Sequence, residues 1–537
     1  MTGSPRAPSL ARGAAATTIA TAVSRVTGFV RVVVVAATLG TTFLANTYQT
    51  ANTAPNVVFE LLAAGVLTSV FVPTFVGFLA TDRQEEGWAA ANALASVALV
   101  GLIGLSLMLA LGAPLVMRLL TIGVEDPSLR ADEIALGSRF LRLFSPQIAL
   151  YGAGMIMTGA LHAHRRFVLA AVAPIFNNVC VISVYLTYAA MRGSRPPTVQ
   201  GITDAEALVL GAGTTLGVVA MTIVLVPQLA RLGWKFRWHF APRHPAVLKG
   251  ARLGVWALGY AGGYQAGLIV VLMLANKVEG GVAAYQWAYT FFYLPHALFA
   301  VPIFNVLFTV MSEHAVRGES SDFLERMRDG LGMLAFLLVP IGALLAVVAH
   351  PLARVTLQYG VMTGAGAALV ARVLMAFALG LPAYSAFLVF TRAFYALGDT
   401  RTPALVNAAT MVIASIAGAL LFMAAADGDW AVPGLALGHS VAFTIGTLVM
   451  ARIFGRRNGA VGGTKLNAAV LRTILATGGS SVAMVLLALG IDDGNRAVAT
   501  GELFAIAVAG FGIYVAINAG MKSPELRRLT TLVRGAG

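Results

Sequence analysis

Apolar positions run through this sequence in about fourteen long stretches, near 17–40, 45–80, 88–113, 134–160, 167–191, 205–230, 248–276, 281–311, 330–350, 364–393, 402–426, 431–453, 466–489 and 498–521. Each holds about 20 residues or more, enough for a helix rising ~1.5 Å per residue to cross a ~30 Å hydrocarbon core. None shows the ten-residue apolar/polar alternation of a barrel strand. Lipid offers no hydrogen bonds, so only helices and closed barrels can span it. The pattern therefore predicts an all-α polytopic membrane protein of about 14 transmembrane helices. Arg6 and Arg12 precede the first stretch, which is too long for a signal-peptide core and is expected to remain as helix 1.

Composition agrees: 58% of the 537 residues are hydrophobic and 11% charged, against roughly 25% charged in soluble domains. A net charge of +14 raises the question of nucleic acid, but the basic residues alternate with the connecting loops. With the N-terminus in the cytoplasm, roughly 24 Lys and Arg fall in cytoplasmic segments and about 7 in external ones. That asymmetry predicts both termini inside and no nucleic-acid partner. The densest cytoplasmic loop places Arg231, Lys235, Arg237, Arg243, Lys249 and Arg252 among Trp234 and Trp238, as expected of a segment lying against anionic membrane lipid. External loops carry Asp427, Asp429, Asp492 and Asp493. A single cysteine, Cys180, excludes a disulfide framework and reads as packing.

Two internal matches suggest a duplication. Pro146 is followed by Ala160-Leu161 and Arg165 at the offsets at which Pro382 is followed by Ala396-Leu397 and Arg401. The segment from Pro55 aligns more weakly with that from Pro295. Six helices separate equivalent positions, so both copies would have the same membrane orientation, a parallel pseudo-two-fold repeat. The expected organisation is a cytoplasmic segment 1–16, an N-lobe 17–230 of helices 1–6, a basic interfacial linker 231–247, a C-lobe 248–453 of helices 7–12, two added helices in 466–521, and a cytoplasmic tail 522–537.

Charged residues inside apolar runs are the candidates for function, because an Arg at a helix centre costs about 2.5–3.5 kcal/mol on insertion scales. Helix 1 holds two in SRVTGFVR, with Arg31 roughly 9 Å deeper than Arg25. Arg25 can snorkel; Arg31 reads either as a cavity residue or as half of an ion pair within its lobe. Glu60, which follows the Pro55-Asn56 break in helix 2, is its natural partner by charge. Lys277 and Glu279 sit at the end of helix 7 and fit a loop ion pair, while Arg372 and Arg392 flank helix 10, the latter as a structural residue. His162 and His164 are expected to face solvent or headgroups. No paired carboxylates, metal-spaced cluster or nucleophile motif marks an enzyme.

SRVTGFVR, ANTAPNVVFELLAAGVLTSVFVP, GALHAHRRFVLAAVAPIFNN and AFYALGDTRTPALVN occur in the order found in the MurJ/MviN family. The chain resembles that family over its whole length, and PNxxFELL resembles its actinobacterial members. The resemblance places it in the multidrug/oligosaccharidyl-lipid/polysaccharide exporter superfamily. It implies a cationic cavity between two lobes for the lipid II diphosphate-sugar headgroup, and a groove on helices 13 and 14 for the polyprenyl tail. Arg25 and Arg31 match family arginines. Phe59 and Thr290 stand where other members have cavity arginines, and Asn46 and Val32 where others have acidic residues. The cavity set implied here is Arg25, Arg31, Asn56, Phe59, Glu60, Lys277, Thr290 and Arg372. Asn407 fits part of a sodium site known in relatives, without an acidic ligand, so the resemblance implies no metal or cofactor and favours membrane potential as the driving force.

The function this predicts is movement of lipid II from the cytoplasmic to the outer leaflet by alternating access. The place is the bacterial cytoplasmic membrane, with cell-wall synthesis proteins as further partners. Alternatives are a carrier of another polyprenyl-diphosphate glycan, a cation-coupled drug antiporter of the same fold, or a non-transporting cell-wall scaffold.

Overall fold

The computed structural model describes residues 7–66, 84–164, 166–234, 236–243, 245–425, 428–489 and 496–535. Arg6, Arg165, Lys235, Asp427, Asp492, Asp493 and positions 67–80 of the second apolar stretch lie outside the described residues. Among the described residues all regular structure is helical: α1 Ala7–Leu39, α2 Phe43–Val66, α3 Gln84–Leu111, α4 Ala113–Leu120, α5 Pro127–Phe144, α6 Gln147–Ala163, α7 Phe167–Arg192, α8 Asp204–Ile223, α9 Val226–Arg231 and α10 Pro245–Ala275. There follow α11 Gly281–Pro295, a π-helical turn His296–Ala300, α12 Val301–Arg317, α13 Ser320–Leu357, α14 Gly364–Ala378, α15 Leu381–Ala396, α16 Arg401–Ala424, α17 Ala431–Asn458, α18 Thr464–Leu489, α19 Arg496–Gly520 and α20 Pro524–Gly535.

Ten described helices are long and apolar enough to cross a membrane, or eleven if α14 and α15, bent by 46°, form one span. The remaining predicted spans correspond to α2, to α5 with α6, and to α10. The breaks have local causes. Pro146 separates α5 from α6, because proline lacks an N–H and crowds the preceding turn. The α8 start is closed by a reciprocal cap: Thr203 Oγ1 accepts from Glu206 N at 3.3 Å and Glu206 Oε2 from Thr203 N at 2.9 Å. Gly318, with φ of 71°, ends α12 in the left-handed region that glycine enters without strain.

The chain divides into two compact units, one of residues 1–265 with 359–362, the other of 266–358 with 363–537. In the first, α1 packs on α7 and α7 on α8, around the fully buried rings of Tyr48, Phe140 and Phe144. In the second, Phe292, Phe377, Phe387, Phe394 and Phe454 fill the interior, and α18 and α19 pack on α13. Here α16 and α17 meet backbone to backbone: a Cβ on Gly438 would stand 2.3 Å from Gly418 N. Small residues let membrane helices approach closely enough for dispersion to hold them, since lipid supplies no hydrophobic drive. Many large apolar side chains remain exposed, among them Leu107, Leu111, Leu216, Leu420, Leu486 and Phe511, as a lipid-facing surface requires.

The basic stretch after α9 is non-helical and folds back on α3. Trp234 Nε1 donates to Asn92 Oδ1 at 3.0 Å, and His239 N to Ser96 Oγ at 2.9 Å. Trp238 and Phe240 are exposed. Beneath this stretch an apolar cavity of about 220 Å³ is lined by Leu99, Ile156, Met157, Leu229, Trp234 and Phe236 among others. It contains none of the predicted site residues.

Candidate functional site

Ser24, Thr27, Gly28 and Arg31 recur at helical spacing and share a face of α1. Opposite them on α7, Asn178 Nδ2 donates to Thr27 Oγ1 at 3.0 Å and to Ser24 O at 3.3 Å. A Cβ on Gly28 would lie 3.5 Å from that amide, an ordinary contact. One turn deeper, Arg31 is half-buried, and its charge acts on the hydroxyls of Tyr48, Tyr151 and Tyr185 from α2, α6 and α7.

These hydroxyls belong to a polar layer inside the first unit. Tyr48 Oη and Thr214 Oγ1 are 2.5 Å apart. Gln147 Nε2 donates to Thr215 Oγ1 at 3.1 Å, and Tyr151 Oη donates to Gln147 Oε1 at 3.4 Å. Glu133, fully buried on α5, accepts from Thr47 Oγ1 at 3.2 Å and leaves Oε2 without a partner. The arrangement is a half-buried arginine whose charge reaches a buried polar layer that is hydrogen-bonded within itself, and the guanidinium is the group able to offer several directed donors to an anion. Sequence reasoning missed Tyr48, Tyr151, Tyr185 and Glu133. The aromatic residues sit in apolar runs where packing is the ordinary expectation, and Glu133 lies at a span's edge.

The expected Arg31–Glu60 pair does not form: Glu60 is exposed, and the ion pairs among the described residues do not include one between them. Similar depth did not put the two side chains on facing surfaces. Arg25 is exposed. Asn56 Nδ2 donates to Asn52 O at 2.9 Å, and Phe59 packs on Tyr151 with ring centroids 5.4 Å apart. In the second unit, Lys277 is exposed after α10, and Thr290 Oγ1 donates to Gln286 O at 3.0 Å. Arg372 pairs with Asp429 at 3.2 Å, and Asn407 is buried on α16. Arg392 lies over the Phe308 ring at 5.5 Å. Of the two histidines expected to face solvent or headgroups, His162 is exposed, with its ring tilted against Phe167, whereas His164 is half-buried and stacks on Trp88. One described cluster of three His, Asp or Glu groups could hold a cation, His314, Glu319 and Asp322 between α12 and α13; Asn407 is not part of it.

Residues 35–507 match the family model described as lipid II flippase MurJ. Over 424 residues the chain is 27% identical to a protein of Rhizobium tropici named Probable lipid II flippase MurJ, covering 79% of this chain and 76% of that one. It is 24% identical over 401 residues to the lipid II flippase MurJ of Burkholderia cenocepacia, covering 74% and 75%. Among solved structures, a lipid II flippase MurJ in an inward closed conformation superposes with a TM-score of 0.74 at 19% identity, covering 94% of this chain and 98% of that one. An inward-facing multidrug-resistance transporter of the MATE family gives 0.64 at 12% identity, covering 83% and 95%. At these identities the two structures speak for the fold.

Proposed function

The chain belongs to the lipid II flippase MurJ family, and from that membership we propose that Arg31 takes the diphosphate of lipid II as the lipid moves from the cytoplasmic to the outer leaflet. The protein is a multi-pass membrane transporter and not an enzyme. The observation that carries the reading is Arg31 itself: half-buried in an apolar helix, its charge acting on the hydroxyls of Tyr48, Tyr151 and Tyr185, and in no ion pair with a carboxylate among the described residues. A diphosphate leaving water needs fixed positive charge, and a guanidinium supplies it with several donors in a planar fork. Phe59 and Thr290 at the family's other arginine positions leave Arg31 a larger share of this task.

The same reading takes 17–230 and 248–453 as the two lobes of an alternating-access cycle, and 466–521 as the groove for the polyprenyl tail. Both termini are cytoplasmic and membrane potential drives the cycle. Asn56, Phe59 and Glu60 border the headgroup path with Arg25, while Lys277, Thr290 and Arg372 contribute from the second lobe. Cell-wall synthesis proteins act on the exported product.

Complementation of a flippase-depleted strain tests the proposal. Arg31→Ala, at wild-type membrane abundance, is expected to lower lipid II export by at least about tenfold, the loss of a charge-assisted contact of roughly 1.5–3 kcal/mol. Full complementation at normal abundance rejects the site.

A further inference from the structure

Two histidines far apart in sequence meet inside the second unit. His296 opens the π-helical turn between α11 and α12 and is 1% exposed; its Nδ1 lies 2.9 Å from Ser385 Oγ. His439 on α17 is 8% exposed, and its Nε2 has no hydrogen-bond partner. Tyr384 connects them, its ring centroid 4.9 Å from that of His296 and 5.8 Å from that of His439. Phe292, Phe377 and Phe443 complete the wall around His439, at 5.9, 5.4 and 4.5 Å.

An imidazole nitrogen left unpaired in such a place is costly, because its lost hydration is not replaced. An apolar side chain of similar volume would pack there without that cost. The π-helical turn is a second, independent sign: such turns are rare and concentrate at functional sites. Here it lies between Pro295 and Pro302, where the ordinary helical ladder is already interrupted.

We propose that His439, Tyr384 and His296 form a proton-binding centre, with the proton taken up on His439 Nε2 and its occupancy coupled to the transport cycle. The coupling rests on the flippase reading; the binding does not. Other titratable groups near the centre are Tyr289 and Tyr293, whose rings contact His439 and His296 respectively. Arg372 on α14 is paired with Asp429, Arg392 on α15 lies over Phe308, and Arg401 is exposed at the start of α16. No described carboxylate is paired with either ring. In this conformation an imidazolium at 439 would therefore have no counter-ion, so the protonated form belongs to a state in which water reaches the ring. A proton is then a ligand with different affinities for two conformations, and such a ligand shifts their populations. The proton comes from water and occupies the ring's lone pair; no other bond forms or breaks.

The full chain in lipid nanodiscs, labelled at histidine with nitrogen-15, gives the binding test without lipid II. The resonance removed by His439→Gln is expected to titrate reversibly on acidification while the protein stays folded. Tyr384→Phe, which keeps the ring packing, is expected to move its midpoint. A resonance that stays neutral down to acid unfolding overturns the centre. Vesicles carrying fluorescent lipid II give the coupling test. A proton gradient, acid outside, is expected to change wild-type transport by at least about threefold, and the ratio of rates with and without the gradient to fall to one in His439→Gln. If that variant does not fold, the same ratio is read in Tyr384→Phe, where it is expected to shrink. An unchanged ratio overturns the coupling. Absence of lipid II movement by the wild type removes the coupling together with the flippase reading, whereas a silent His439 beside active transport removes the proton centre alone.

Discussion

The side-chain amide of Asn178 donates to the hydroxyl of Thr27 at 3.0 Å, tying α7 to the turn of α1 that precedes Arg31. Thr27 also donates to Ser24 O at 3.0 Å, so the amide orients a hydroxyl whose own proton is already placed. The contact fixes the rotation of α1 and with it the direction in which Arg31 points.

Asn178→Leu, close in volume but without donors, is expected to cost about 0.6–1.7 kcal/mol, the range for hydrogen bonds between membrane helices. Thermal unfolding in detergent measures it, and a double-mutant cycle with Thr27→Val isolates the pair. An interaction energy of zero would mean that α1 is held by packing alone.

Gly438→Ala is expected to destabilise the protein by about 1–3 kcal/mol, since its methyl would overlap the Gly418 backbone and neither helix has a flexible atom to yield. Gly418→Ala is the control. Its methyl would meet Leu435 Cα at 3.4 Å, an ordinary contact, and a cost below about 1 kcal/mol is expected. Equal losses in the two variants would contradict the backbone-to-backbone contact.

Asp399 in the turn before α16 gives a pH dependence. Burial raises the affinity of its carboxyl for a proton. Hydrogen bonds from the Thr402 side chain and backbone and from the Arg401 backbone, with the charge of Arg457, outweigh this and hold it below the usual carboxylate range. The folded state thus binds fewer protons than the unfolded one in that window, and the stabilisation, present above the ordinary value of about 3.9, disappears as pH falls through the lower folded value. Asp399→Asn is expected to lower the melting temperature at neutral pH, with the difference narrowing in acid. A difference independent of pH would assign the effect to shape and not to charge.

The helices were legible because lipid imposes one demand on every stretch: pair the backbone internally and present apolar side chains. The break at Pro146 was not legible, because the apolar run 134–160 continues across it and looks like one span. Arg31 stood out because charge in an apolar run is rare. Its surroundings did not, because Tyr48, Tyr151 and Tyr185 come from three helices and a tyrosine has the same appearance in a packed core as in a polar layer. Glu60 shows the reverse error. Charge and depth suggested a partner, but the face of α2 on which it lies depends on packing that no single helix reveals. His296 and His439 needed the fold to bring them together.

The Gly418–Gly438 contact also bears on how the second unit moves. Helices ordinarily slide past one another by exchanging side-chain contacts, like the teeth of loosely meshed gears. Where two backbones touch there are no teeth to exchange, and any slip drives main chain into main chain. The hairpin of α16 and α17 is thus a girder: it transmits force along its length and tilts whole, so paired spin labels across it would keep their spacing through every stage of the cycle.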